Sequence, residues 1–395
     1  MKKLFFYILF ISTCGYTQQI KLSPSAEVSV ITCGPGTNEL YASFGHSAFR
    51  VLDLDHKIDR VYNYGTFDFD TPNFYLKFAQ GKLLYQLSAY NFGDFLRGYH
   101  RENRWVKGQV LDLQPQQVQE VFDFLENNAK PENRSYHYDF FYDNCSTKLY
   151  DVLEQVLGER ILFESDFDKQ NYSHRDLIEL YVGHQPWGDL GIDLALGAVI
   201  DKKASSKEYM FLPDYVFAAF TTIKIKEADQ LKPIVRRTEE ILLSYDDKVV
   251  SNGVMPIVVF SIVALIIMIF TYMDARKKSR NKLLDLVIFT VTGVVGILLL
   301  LLWFATDHSA TANNFNVLWA FAPNLIFLFV MNKNTRMSVF YMFTLLMLLD
   351  IMVLLWIFKV QVFHYSLIPL IAGLYVRYIY LWFYFRSGFR ADSTE

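Results

Sequence analysis

The chain has 395 residues, enough for two or three domains, with 20% charged residues and a mean hydropathy of +0.16. A net charge of −3 and a pI near 6.3 supply no basic footprint for nucleic acid, so no nucleic-acid partner is expected. Three cysteines without CxxC or Cys/His zinc spacing exclude a disulfide scaffold, and neither a metal nor a cofactor is expected.

Residues 1–17 have the pattern of a secretory signal peptide: Lys2-Lys3, a short apolar run to Thr13, and a polar exit at Gln18. The run is too short to span a bilayer. Cleavage is expected near Thr17. A lipid-modified Cys14 is the alternative, and Thr13 directly before it argues against that.

Residues 25–250 mix polar and apolar positions and predict an exported α+β domain. Glu27–Gly34 reads as a strand closing on the turn Cys33-Gly34-Pro35-Gly36, and residues 47–52 and 60–64 alternate like paired strands. Residues 81–90 and 104–113 are also β-like. Pro115–Asn127 has helical periodicity through Val118, Val121, Phe122 and Leu125. The aromatic run Phe67–Phe95 reads first as core packing of short strands, with an acyl-chain or membrane-interface surface as the second reading. After Cys145, the apolar positions Leu149, Val152, Leu153, Val156 and Leu157 predict an amphipathic helix stopped by Gly158.

Asp143 and Asn144 are both good N-cap residues, which puts Cys145 in the first turn of that helix. The positive end of a helix stabilises thiolate over thiol. A thiolate nucleophile needs a base, and His46 in Phe44-Gly45-His46-Ser47 stands among small residues at the start of a strand. A third polar group, Asn63 or Tyr64, is expected to hold the imidazole. Two bland readings compete: a Cys33–Cys145 disulfide after signal cleavage, and simple burial of Cys145. His137 reads as part of a packed aromatic ladder. His56, His100, His174 and His184 read as facing solvent.

Beyond Val254 the chain changes character. Residues 254–273 and 286–305 carry no charge, and 315–331, 337–358 and 363–385 are weaker spans interrupted by Asn324, Asp350 and Arg377. Five transmembrane helices over 254–385 and a cytoplasmic tail at 386–395 are therefore expected. Arg276, Lys277, Lys278, Arg280, Lys282, Lys333, Arg336, Arg386 and Arg390 fall on one side and only Lys359 on the other, so the exported domain lies outside and the C-terminus inside. Asp350 and Arg377 read as functional intramembrane charges, as a structural ion pair, or as a snorkelling arginine.

The blocks Tyr41–Arg50, Val61–Phe67, Asn73–Phe78 and Tyr138–Thr147 resemble the Lnb family of bacterial lipoprotein N-acyltransferases. The resemblance continues through Pro186-Trp187, Met210–Asp214, Asp307-His308 and Asn313–Asn316. It implies a circularly permuted papain-like periplasmic domain, related to NlpC-type and lecithin:retinol acyltransferase-like enzymes, on an inner-membrane anchor. It also implies transfer of a fatty acyl chain from a membrane phospholipid to the α-amine of a diacylated lipoprotein, through a Cys145 thioester with His46 as base. Backbone N–H groups at the helix start, with the Asn144 side chain, would hold the oxyanion. Ser47, Asp307, His308, Asn313 and Asn316 would contact substrate. A Cys–His hydrolase acting on peptidoglycan or phospholipid is the alternative within enzymes. A non-catalytic lipid or lipoprotein receptor is the alternative outside them.

Overall fold

The computed structural model describes residues 20–37, 39–163, 170–227, 230–245, 253–331 and 335–392. The signal segment and Cys14 lie outside the described residues.

The front domain is built on ten strands: β1 (Glu27–Cys33), β2 (His46–Asp53), β3 (Ile58–Thr66), β4 (Leu84–Asn91), β5 (Val106–Leu111), β6 (Ser135–His137), β7 (Ile161–Leu162), β8 (Lys224–Glu227), β9 (Gln230–Pro233) and β10 (Val235–Leu242). Seven form one sheet in the order β10-β5-β1-β2-β3-β4-β6, with every neighbouring pair antiparallel. β7, β8 and β9 form a small second sheet.

Period-2 alternation divides the large sheet into two faces. Val28, Val30, Phe49, Val51, Tyr62 and Tyr64 pack on one side against helices α3 (Pro115–Asn128) and α4 (Thr147–Leu157). Ile31, Cys33, Ala48 and Val61 face the other side with Phe92 and Phe95 of α2 (Phe92–Arg101). Between β3 and β4 lies the short helix α1 (Phe74–Ala79). The aromatic run is thus divided: Phe74, Phe92 and Phe95 are buried, whereas Phe69, Tyr75 and Phe78 are exposed.

A helical extension follows, with α5 (His174–Val182), α6 (Pro186–Ala195) and α7 (Pro213–Phe220) around Phe44, Phe141, Leu177, Tyr209 and Phe211. His174 is buried among Phe141, Tyr142 and Phe211, not solvent-facing as its polar sequence neighbours imply. Arg175 is buried beside it. Its guanidinium holds Asp193 at 2.6 Å and Asp201 at 2.8 Å, which ties α5 to the end of the extension.

Among the described residues, four helices are long and apolar enough to cross a membrane: α8 (Pro256–Lys277), α9 (Lys282–Phe304), α11 (Thr335–Ile357) and α12 (Leu367–Asp392). The expected helix over 315–331 is not continuous. It consists of a 3₁₀ turn at Phe315–Leu318 and the seven-residue helix α10 (Asn324–Val330). Pro323 sits at the break, where it cannot donate a helical hydrogen bond. Asn324 accepts from Tyr341 and donates to Thr292, both at 2.7 Å, so its amide is satisfied inside the bundle. Glycines of α9 admit this segment: a Cβ at Gly296 would lie 2.0 Å from the Ala320 carbonyl.

Arg377 does not pair with Asp350. It is fully buried and its guanidinium reaches Asp285 and Asp274 at 2.8 Å, joining α12 to α9 and α8. Asp350 instead accepts from Tyr375 at 2.6 Å.

The two domains are fastened together. Asn314 donates to the Leu194 carbonyl at 2.7 Å, the Val362 amide to Asp201 at 3.2 Å, and the Trp187 indole to the Val254 carbonyl at 2.8 Å. The loops 305–314 and 358–366 therefore face the front domain.

Candidate active site

His46 opens β2 directly after Gly45, whose φ of +81° is left-handed. A Cβ there would lie 2.7 Å from the Cys33 carbonyl, so only glycine delivers the chain into β2 at this point. Cys145 sits in the turn just before α4. Asn144 shapes that turn: its Oδ1 accepts from the amides of Ser146 and Thr147 at 2.7 and 2.9 Å, and its Nδ2 donates to the Phe140 and Phe211 carbonyls at 2.8 and 2.7 Å. Every polar site of the Asn144 side chain is used, so it is a capping group and not an oxyanion donor. Among the described residues, no acceptor is bonded to the Cys145 amide itself, which makes that N–H the free donor beside the sulfur.

The His46 ring and the Cys145 thiol lie within hydrogen-bonding reach of each other. His46 Nε2 is 2.6 Å from Asn63 Oδ1, so Nε2 donates there and Nδ1 is the nitrogen left for sulfur. Asn63 Nδ2 in turn donates to the Tyr90 hydroxyl at 3.1 Å. Strand parity decides between the two expected partners. Asn63 shares the face of β3 that carries His46 and Val61, whereas Tyr64 points to the opposite core and donates to Asn128 at 2.5 Å. Sequence reasoning missed Tyr90. The alternation of β4 against β3 carries the only signal for it, since Val61 pairs with Tyr90 across that ladder.

Burial works against charge on both groups, yet the pair overcomes it. Burial pushes the Cys145 thiol up, but the His46 charge and hydrogen bond, the Ser47 amide and the Ser146 hydroxyl together hold it below its ordinary value. Burial pushes His46 down, but the Cys145 sulfur and Asn63 outweigh it and hold the imidazole above its ordinary value. Opposite shifts of this kind favour a thiolate–imidazolium pair. Ser47 is buried and contributes its amide to the sulfur and its hydroxyl to Ser146 at 3.1 Å. It braces the Cys145 turn and does not line the cavity.

Cys33 behaves differently. It is a free thiol, as is Cys145, so the two are not bridged. Burial pushes the Cys33 thiol up to about 12, which keeps it protonated and inert.

The pair lies in a cavity of about 640 Å³. Its walls are aromatic, with Phe67, Phe69, Phe78 and Tyr85 on one flank and Phe44, Phe140 and Phe211 on another. Tyr138 stacks on Tyr85 at 4.2 Å. Gly65, at φ +84°, passes close to the nucleophile: a Cβ there would be 3.4 Å from that of Cys145.

The loop between α9 and the 3₁₀ turn closes one side of this cavity. Asp307 and His308 line it, together with Ser309 and Ala310. The Asp307 amide donates to the Gln80 carbonyl at 2.8 Å, and Ser309 donates to Asp139 at 2.8 Å. Asn313 and Asn316 lie elsewhere. The Asn313 carbonyl accepts from the Ala198 amide at 3.0 Å. Asn316 is buried, donating to the Asp193 carbonyl at 3.1 Å and accepting from Trp319 at 3.0 Å. Both hold the two domains together.

A sulfur–imidazole–carboxamide relay, set in an apolar cavity that a membrane loop completes, defines a multi-span membrane protein with a thiol site on its front domain. Family models agree with that description along most of the chain. The Lnb N-terminal periplasmic domain matches residues 13–179 and the Lnb transmembrane domain matches residues 248–387. The chain belongs to the Lnb family, with a periplasmic domain on a multi-span domain that fits the inner membrane. No curated protein matches it, and no solved structure does.

Proposed function

We propose that this protein is a lipoprotein N-acyltransferase. It would move a fatty acyl chain from a membrane phospholipid to the α-amine of a diacylated lipoprotein's N-terminal cysteine. The observation that carries this reading is the Cys145–His46–Asn63 relay at the wall of an aromatic cavity that Asp307, His308 and Ser309 complete from the membrane side.

The chemistry runs in two halves. The Cys145 thiolate attacks the ester carbonyl of the phospholipid, and the developing oxyanion is held by the Cys145 amide. The intermediate collapses, the C–O bond breaks, and His46 gives its proton to the departing lysophospholipid oxygen. A Cys145 thioester remains beside a neutral imidazole. The unprotonated lipoprotein amine then attacks the thioester while His46 accepts its proton, and the C–S bond breaks to regenerate thiolate and imidazolium. An α-amine has a pKa of about 8, so a useful fraction is unprotonated at neutral pH. The aromatic walls favour acyl chain over water, which suits transfer to an amine more than hydrolysis.

In this reading the domain is a permuted papain-like fold, in which histidine on a strand precedes cysteine at a helix start. The chain crosses the membrane five times. The broken segment 315–331 makes the third crossing, because the loops before it and after α11 both face the periplasmic domain while α11 itself runs the full depth between. The C-terminus then lies in the cytoplasm, as the basic residues at the C-terminal ends of α8 and α12 also favour.

The test is mass spectrometry of lipoprotein N-termini in a strain lacking the gene, complemented with the natural protein or with Cys145→Ala. The proposal expects the third acyl chain to return only with the natural protein. Its return with Cys145→Ala, or unchanged lipoproteins in the deletion strain, would contradict it.

A further inference from the structure

Large apolar side chains in and beside α1 stand exposed. Tyr75 is 80% exposed, Phe69 68%, Leu76 58% and Phe78 53%, so four large apolar side chains on one short hairpin face outward. They are not a loose group. Phe69 packs on Phe74 with ring centroids 4.9 Å apart and Phe67 on Phe69 at 5.0 Å, which gives the outward rings a fixed base. An exposed patch of this kind on an ordered element marks an interaction site.

Its position identifies the occupant. His308 Nε2 donates to the Phe78 carbonyl at 3.2 Å and the Asp307 amide bonds to Gln80. Both residues come just after the end of the membrane-crossing helix α9 at Phe304, which is itself 72% exposed beside Trp303. The hairpin is therefore pinned to the segment that directly follows the end of α9. Aromatic side chains beside the end of a membrane-crossing helix favour the headgroup region. The adjacent charges are mixed, Asp68 and Asp70 on one side and Lys77 and Lys82 on the other, so apolar contact and not net charge supplies the attraction.

Phe69 and Phe78 belong to both surfaces: they wall the cavity that holds Cys145 and they are exposed in the outward patch. We infer that the Phe67–Ala79 hairpin dips into the periplasm-facing leaflet and, with the 307–310 loop, forms a lateral portal through which a phospholipid acyl chain passes from the bilayer to the sulfur. This rests on the acyl-donor reading above and specifies the surface that loads it. Tyr75 and Leu76 touch the leaflet without lining the cavity, so they separate docking from chemistry.

The experiment uses the full-length protein in phospholipid vesicles, comparing the parent with Tyr75→Asp/Leu76→Asp. Cys145 acylation is followed with vesicle phospholipid and, separately, with the water-soluble ester p-nitrophenyl butyrate. The inference expects acylation from vesicles to fall about tenfold or more, since two exposed apolar contacts with the leaflet are lost, while butyrate turnover is unchanged. A Tyr75→Trp protein should also show added fluorescence quenching in vesicles of brominated lipid. Undiminished acylation from vesicles, or a parallel loss with both esters, would overturn the inference. So would a defect confined to the lipoprotein acceptor, which would make the patch a protein-docking face. Absent quenching at Tyr75→Trp would also overturn it. If the parent acylates from neither ester yet Tyr75→Trp is quenched, the acyltransferase reading fails and the membrane contact stands.

Discussion

Replacing Asn63 with alanine removes the acceptor that holds His46 Nε2 at 2.6 Å. While the imidazole carries a proton, that contact is a hydrogen bond to a charged group, which contributes about 1.5–3 kcal/mol. Its loss leaves the ring free to turn away from sulfur and removes one of the interactions that raise the His46 pKa. Acylation of Cys145 should then slow by roughly 10- to 150-fold. Tyr90→Phe deletes only the neutral support behind Asn63, which acts at 3.1 Å, so it should cost about 1 kcal/mol, or roughly fivefold. The assay is single-turnover acylation by phospholipid vesicles, read by mass spectrometry of the Cys145 peptide, with circular dichroism to verify folding. A folded Asn63→Ala protein that acylates at the parental rate would refute the assignment of Asn63 as the group positioning His46. Equal losses for Asn63→Ala and Tyr64→Phe would refute it as well, because Tyr64 faces the other core.

Cys33→Ser should retain transfer activity whereas Cys145→Ser loses it, since burial holds the Cys33 thiol at about 12; a complementation assay with both variants checks this. The pH dependence follows from opposite shifts. Thiolate forms as pH rises through the lowered Cys145 pKa, so alkylation by iodoacetamide should begin below the pH at which an ordinary thiol, with a pKa of about 8.5, reacts. Transfer should decline as pH rises through the raised His46 pKa, where the proton for the leaving group is lost. In His46→Ala, burial acts on the thiol without the opposing imidazolium, and the alkylation onset should move to higher pH. Arg377→Met strands Asp274 without its cation and leaves Asp285 only Arg280, at 3.4 Å, a change worth about 3–5 kcal/mol at a buried site, and should lower thermal stability in detergent sharply. Adding Asp285→Asn to it should recover part of that loss.

Local signals in the chain predicted the parts of this molecule that depend on local pattern. Strands β1 to β3, helices α3 and α4 and four of the membrane helices are each marked by a period of two, a helical stripe or a long uncharged run. The turn at Cys145 was legible because Asp143 and Asn144 are capping residues, and His46 because Gly45 precedes a strand. What stayed hidden depends on contacts between distant residues. Asn63 and Tyr64 are equivalent in composition, and only the pleat of β3 against β2 turns one toward His46. Strand β10 is largely polar and becomes a strand by pairing with β5, more than a hundred residues away. The sequence leaves Arg377 open between a functional charge, a pair with Asp350 and a snorkelling arginine, because its partners come from the distant helices α8 and α9. The third expected helix is broken at Pro323, and the polar residues Asn314, Asn316 and Asn324 in that segment donate to neighbouring elements.

The account stands on a covalent acyl group appearing on Cys145. Full-length protein incubated with phospholipid vesicles, without any lipoprotein, should yield a Cys145 peptide heavier by one fatty acyl group. Hydroxylamine should release that mass, and Cys145→Ala should never acquire it. Phospholipid turnover with no adduct on this peptide, or with the adduct on another residue, would contradict the thioester and the mechanism built on it.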